Sequence, residues 1–213
     1  MFEIVSRFFY QEPQIMPKSS EPTRLRLLET ASVLVAEESL ANLSIENIAD
    51  KAGVSRRTFF QHFPSKDHLL AAVVEYSRPT YLDRYRTWAD NCGSDATIDQ
   101  RIANIFENIT KAAHNPNWKG CCFIRMAAEL GSLQGHPVHM LVAAANQDME
   151  RWIEAELARE DYREPTALAR QLVVMINGLL MIQLVTHSSA YGQDIGALVR
   201  NMLDGHRPKK AAA

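Results

Sequence analysis

Three serines, Ser44, Ser55 and Ser65, stand at short intervals before runs that can form helix, and Gly53 lies between the first two. A serine hydroxyl accepts from the orphan amides of a helix's first turn, so each of the three marks a helix start. Glu46 and Asp67 follow two of them and suit the positive end of the helix dipole. Gly53 ends the helix that Ser44 opens, and only "GV" separates it from Ser55. The helix after Ser55 stops at Phe63, because the residue before Pro64 is pushed out of the α region. A helix, a tight glycine turn and a second short helix form the helix-turn-helix pattern.

The rest of the chain has little β-branched alternation and long stretches at helical spacing, so the expected fold class is all-α. A first helix starts at "SSEP", with Ser20 as cap and Pro22 in its first turn, and runs to about Glu38. Its buried stripe is Leu27, Leu28, Ala31, Leu34 and Val35, and the second helix turns Ile45, Ile48, Ala49 and Ala52 inward. Ser65 opens a fourth helix. Helical spacing continues near 80 to 90, so that roughly 65 to 90 forms a rigid joint to the remainder. Further helices are expected near 97 to 113, 119 to 130, 137 to 160, 166 to 188 and 194 to 204, separated by Gly, Pro, Asn and Ser clusters. The domain organisation is then an extension over 1–20, the helix-turn-helix module over 21–68, a larger helical domain over 69–205 and a basic tail over 206–213. Met16 could serve as the natural start as well as Met1.

The segment Gly53 to Leu70, "GVSRRTFFQHFPSKDHLL", has two characters. Phe59 and Phe63 are four apart and share a core-facing side, while Arg56, Arg57, Phe60 and Gln61 lie toward the other. The net charge of the chain is -2, yet Lys51 to Lys66 holds four Lys or Arg and no Asp or Glu. Any attraction for nucleic acid must come from this local excess, where phosphates can be neutralised.

These residues also resemble a known family. From about Arg26 to Val74 the chain is similar to the helix-turn-helix domain of the tetracycline-repressor (TetR) family. The matching features are the turn Ala52 to Ser55, the run Thr58 to Phe60, the "HFPSK" of His62 to Lys66, and Leu69 with Leu70. The resemblance implies an N-terminal three-helix DNA-binding domain and a larger C-terminal helical domain for ligand binding and dimerisation. It also implies that the helix from Ser55 to His62 enters the major groove and that Ser44, Thr58, His62 and Lys66 hold phosphates. Arg56 and Arg57 have the chemistry to read guanine edges and Gln61 that to read adenine. The chain departs from the family pattern at three places. Arg57 stands where glycine is frequent, Phe60 where tyrosine is usual, which leaves ring contacts with sugar or a thymine methyl, and Ser39 where a glycine commonly ends the first helix.

In the larger half, "KGCCFIRMAAELGS" from Lys119 to Ser132 resembles a segment in a subset of the family, and Arg125 with Glu129 has the spacing of an i,i+4 pair. The resemblance implies a small-molecule effector among the C-terminal helices. Candidate lining residues are Phe106, Phe123, Met126, Met140, Trp152, Met175 and Asn177, each of which also fits a packed core position. The run Leu172 to Val185 is apolar nearly all round and needs a partner surface. With the helix 194 to 204 it forms the expected homodimer interface.

Other chemistry is weaker. His136 and His139 in "HPVH" could share a face but nothing in the sequence completes four ligands, so no metal is expected. Vicinal Cys121 and Cys122 could sense oxidants or pack as small hydrophobes. No nucleophile elbow, phosphate loop or HExxH is present, so no enzyme activity and no cofactor are expected. The odd cysteine count and the interrupted apolar runs fit a cytoplasmic protein with no membrane span. The function these features imply is a ligand-responsive transcriptional regulator, a dimeric repressor on a near-palindromic operator, released by an inducer. A helical dimer with an enzymatic or adaptor role, not using DNA, is the alternative.

Overall fold

The computed structural model describes residues 20–93 and 95–208. Among them the chain is helical throughout and contains no strand. Its α-helices are α1 Ser20–Glu37, α2 Ile45–Lys51, α3 Arg56–His62, α4 Lys66–Asp90, α5 Ile98–Ala113, α6 Cys122–Glu129, α7 Pro137–Arg159, α8 Pro165–Thr186 and α9 Ile195–Asp204. A 3-10 turn, Ala190–Gly192, precedes α9. The expected extension over 1–20, apart from the helical Ser20, and most of the basic tail over 206–213 lie outside the described residues, as does any choice between Met1 and Met16.

The described chain forms two compact units, and their boundary is not the one expected between residues 68 and 69. One unit comprises the residues up to Pro79 together with Cys121–Ala143, and the other comprises Thr80–Gly120 and the chain from Ala144 onward. The start of the larger half, α6 and the first turns of α7, is therefore grouped with the helix-turn-helix. α4 runs unbroken from Lys66 to Asp90 with Pro79 inside it. Proline removes one backbone donor, but the buried Tyr81, Tyr85 and Ala89 on the following turns keep that stretch in register.

In the first unit Leu27, Leu28, Ala31, Leu34 and Val35 are buried and meet Ile48, Ala49, Phe59, Phe63, Leu69 and Leu70 in one small core. Full burial of a side chain the size of Phe59 contributes about 1.5 to 3 kcal/mol. In the second unit α9 packs on α5, with Ile102, Phe106 and Ile109 buried on one and Val199 and Leu203 on the other. The 3-10 turn also closes on α5. A Cβ at Gly192 would overlap Thr110 Oγ1 and stand 2.7 Å from the Thr110 Cβ, so only glycine allows this approach.

Candidate nucleic-acid interface

The backbone from Ser44 to Ser65 follows from its caps. Ser44 is extended (φ -100°) and its Oγ accepts from the Asn47 amide at 3.0 Å. Gly53 adopts φ 65°, a left-handed conformation that favours glycine. Val54 N–H then donates back to the Ala49 carbonyl at 2.9 Å, which closes the end of α2. Ser55 Oγ accepts from the Thr58 amide at 3.0 Å and lies 2.8 Å from Thr58 Oγ1. Ser65 Oγ accepts from the His68 amide at 3.2 Å, which opens α4. Because the serine oxygen accepts in the cap bond, the Ser44 hydroxyl hydrogen stays available to an outside acceptor.

α3 is held from beneath. Phe59 is fully buried and Phe63 nearly so, with ring centroids 6.0 Å apart, and the Arg24 guanidinium of α1 lies 5.0 Å above the Phe63 ring. On the other side Arg56, Arg57, Phe60 and Gln61 are exposed, while Thr58 and His62 are half-buried. Phe60 keeps 43 % of its surface in water and packs edge-on to Phe59 at 5.5 Å.

The four cations counted in the sequence are not equally free. Arg56 pairs with Glu46 of α2 at 3.0 Å and lies 5.6 Å from the Phe60 ring. Lys51 pairs with Glu38 at 3.1 Å. Lys66 Nζ donates to the Leu40 carbonyl at 2.6 Å, which leaves two of its three hydrogens for other acceptors. Counting only Lys51 to Lys66 overstates the local excess, since Glu38 and Glu46 face it from outside that window. Among the described residues Arg57 has no carboxylate partner.

Arg125 and Glu129, spaced for a pair with each other, both reach the end of α1. Arg125 Nη2 shares its two hydrogens among the carbonyls of Val35, Ala36 (3.1 Å) and Glu38 (3.3 Å). Glu129 Oε2 accepts from Ser39 Oγ and from the Leu40 amide, both at 2.7 Å. Sequence spacing gave no hint of these bonds, since the partners are some 90 residues away.

The effector candidates do not gather in one unit. Phe123 and Met126 are buried in the first unit, whereas Phe106, Trp152, Met175 and Asn177 belong to the second. Met140, expected to face inward, is 74 % exposed, because Val138, Val142 and Ala145 supply the buried stripe of α7 around it. Asn177 Nδ2 is occupied by the Val173 carbonyl at 2.9 Å and Asn146 Oδ1 at 3.2 Å. Gln183, read in the sequence only as an interruption of an apolar run, is fully buried with neither amide atom hydrogen-bonded. The second unit also carries a recess of about 550 Å³ lined by Arg101, Glu156, Arg159, Tyr162 and Arg207 among others. Its guanidiniums are already engaged, Arg101 by Glu156 and Asp90, Arg159 by Glu156 and Arg207 by Asp204. His136 Nε2 lies 3.5 Å from Asp67 while its Nδ1 takes the Val138 amide. Cys121 is buried and Cys122 half-buried at the start of α6.

Comparison with known proteins separates a DNA-binding helix pair from an accidental one. Residues 27–73 match the family described as bacterial regulatory proteins, tetR family. The chain is 22 % identical over 188 residues to the HTH-type transcriptional regulator YjdC of Escherichia coli, covering 88 % of this chain and 96 % of that protein. It is 37 % identical over 57 residues to the HTH-type transcriptional regulator EthR of Mycobacterium tuberculosis, 27 % of this chain and 26 % of that one. A solved TetR transcriptional regulator of Streptomyces avermitilis superposes with a TM-score of 0.73 at 26 % identity, over 85 % of this chain and 98 % of the other. Residues 27–73 are a TetR-family DNA-binding domain. A TetR-family chain is a DNA-binding transcriptional regulator and not an enzyme, so the enzymatic alternative falls. α2 and α3 are the helix-turn-helix of this TetR-family regulator, and the fold agrees with the helical N-terminal module and larger helical C-terminal domain that the resemblance implied.

Proposed function

We propose that this regulator is a ligand-responsive repressor that acts as a homodimer on a near-palindromic operator in the cytoplasm. α3 enters the major groove. Ser44, Thr58, His62 and Lys66 hold phosphates, Arg56, Arg57 and Gln61 meet base edges, Phe60 contacts sugar or a thymine methyl, and Ser55 sets the angle of the helix. The two α3 helices of a dimer then meet half-sites at least about 34 Å apart. A small-molecule effector held in the larger half favours a dimer geometry that no longer fits the operator, and by linkage the operator weakens effector binding to the same degree.

The dimer reading rests on one observation. α8 is 22 residues long and apolar enough by length and composition to cross a bilayer, yet its buried face ends in Gln183 and its other face carries Val174 and Val185 at 66 % and 70 % exposure. α9 adds Leu198 at 56 %. Apolar surface of this kind on a helix pair is covered by a second copy more readily than by water. Sedimentation of the intact chain at micromolar concentration is expected to give a dimer, and Val174→Glu with Val185→Glu a monomer that has lost its operator. A wild-type monomer that still protects a palindrome would refute the arrangement. Site selection from random duplex DNA supplies that operator, and failure to enrich any sequence would overturn the regulator's proposed mode of action.

A further inference from the structure

We propose that Arg125 and Glu129 are positioning residues for operator binding, which they serve by fixing the end of α1 and the loop that leads into α2. The inference rests on the phosphate roles of Ser44 and Lys66 proposed above. An α-helix ends with carbonyls that have no partner inside it, and a left-handed glycine commonly satisfies them. This chain has Ser39 there and no such glycine. Arg125 takes over that task from outside the helix by donating to the Val35, Ala36 and Glu38 carbonyls. A guanidinium suits it because one nitrogen, Nη2, reaches all three carbonyls and shares its two hydrogens among them, and bonds with a charged donor are stronger than neutral ones. Glu129 completes the turn by accepting from the Ser39 hydroxyl and the Leu40 amide.

What the clasp holds is the part of the backbone that carries phosphate-facing groups. Glu38, gripped through its carbonyl, uses its carboxylate on Lys51. Leu40, gripped through its amide, offers its carbonyl to Lys66. Leu43 is buried immediately before the Ser44 cap, so the position of the loop passes directly into the start of α2. Two bonds accepted by one Glu129 oxygen, and the two hydrogens of Arg125 Nη2 shared among three carbonyls, thus fix Lys51, Lys66 and Ser44 relative to one another. None of these groups reads a base. Loosening the clasp lowers the fraction of molecules ready to bind and weakens affinity by that fraction for every sequence alike.

The test uses the intact chain, with the operator obtained from random duplex DNA by the wild-type protein. Glu129→Ala and Arg125→Ala are expected to bind that operator about tenfold more weakly. They should enrich the same sequence and keep the wild-type dependence of affinity on salt, because the bound state makes the same phosphate contacts. Glu129→Gln keeps an oxygen acceptor for Ser39 and Leu40 and is expected to restore most of the affinity. If Arg125→Ala does not fold, the Glu129 pair of variants decides alone. Wild-type affinity in Glu129→Ala, an altered sequence preference, or a Glu129→Gln chain as weak as Glu129→Ala would each overturn the inference. A wild-type chain that selects no operator refutes the proposed function itself and is told apart from these outcomes by that alone.

Discussion

Replacing Arg57 with alanine separates base reading from general attraction. Arg56 and Arg57 are neighbours on α3 with the same charge, but their surroundings differ. Arg56 is 65 % exposed and paired with Glu46, itself 57 % exposed, at 3.0 Å. A surface pair of this kind contributes about 0 to 1 kcal/mol, and Arg56 must give it up, in whole or in part, to meet DNA. Arg57 has no such bond to break. Losing a guanidinium that bonds a guanine costs about 1 to 3 kcal/mol, roughly five- to 150-fold in Kd. Arg57→Ala is therefore expected to weaken operator binding by this amount, and Arg56→Ala by up to about 1 kcal/mol less. Arg57→Ala should alter folding stability by no more than about 0.5 kcal/mol, and Arg56→Ala by no more than the roughly 0 to 1 kcal/mol of its pair, since both side chains stand in solvent. Fluorescence anisotropy with a labelled operator gives the affinities, and random-site selection with each variant gives the preference. Arg57→Ala should relax one position in each half-site. A uniform loss over all sequences with a shallower salt slope would make Arg57 a phosphate clamp, and an Arg56→Ala loss larger than that of Arg57→Ala would refute the reasoning from Glu46.

Two further predictions concern the second unit. Gly192→Ala drives a methyl into Thr110 Oγ1 and to 2.7 Å from the Thr110 Cβ, while that hydroxyl already donates to the Phe106 carbonyl at 2.8 Å. It is expected to destabilise the chain by about 1 to 3 kcal/mol in chemical denaturation, and an unchanged midpoint would show that the 3-10 turn does not close on α5 in solution. Gln183→Leu removes a buried amide whose two polar atoms lack partners, and stability should stay level or rise by about 1 kcal/mol in the same assay. A loss of more than about 2 kcal/mol would mean that the amide is satisfied inside the folded chain.

The helix-turn-helix was legible because local chemistry alone specifies it. Ser44, Ser55 and Ser65 cap helices through hydroxyls three residues from their amide partners, and Gly53 takes the one backbone conformation its neighbours avoid. The buried faces of α1 and α3 followed from 3.6-residue periodicity, which needs no partner to be read. The charge of the surface was legible only in part. Glu38 and Glu46 lie outside the basic window in sequence but within 3.1 Å of its cations in space.

The effector half was least legible. An apolar residue at helical spacing is equally consistent with a core position and a lining position, and Met140 on the surface of α7 shows that spacing does not even fix burial. By itself the sequence determined an all-helical chain, its cap-to-cap helix-turn-helix and the side chains α3 turns outward, because these depend on contacts within a few residues. Only the tertiary structure decided that α6 belongs with the DNA-binding module, that Arg125 and Glu129 close the end of α1, and that Gln183 is buried without a partner. Those facts depend on which distant backbone carbonyls and side chains share a space, and no local period encodes that.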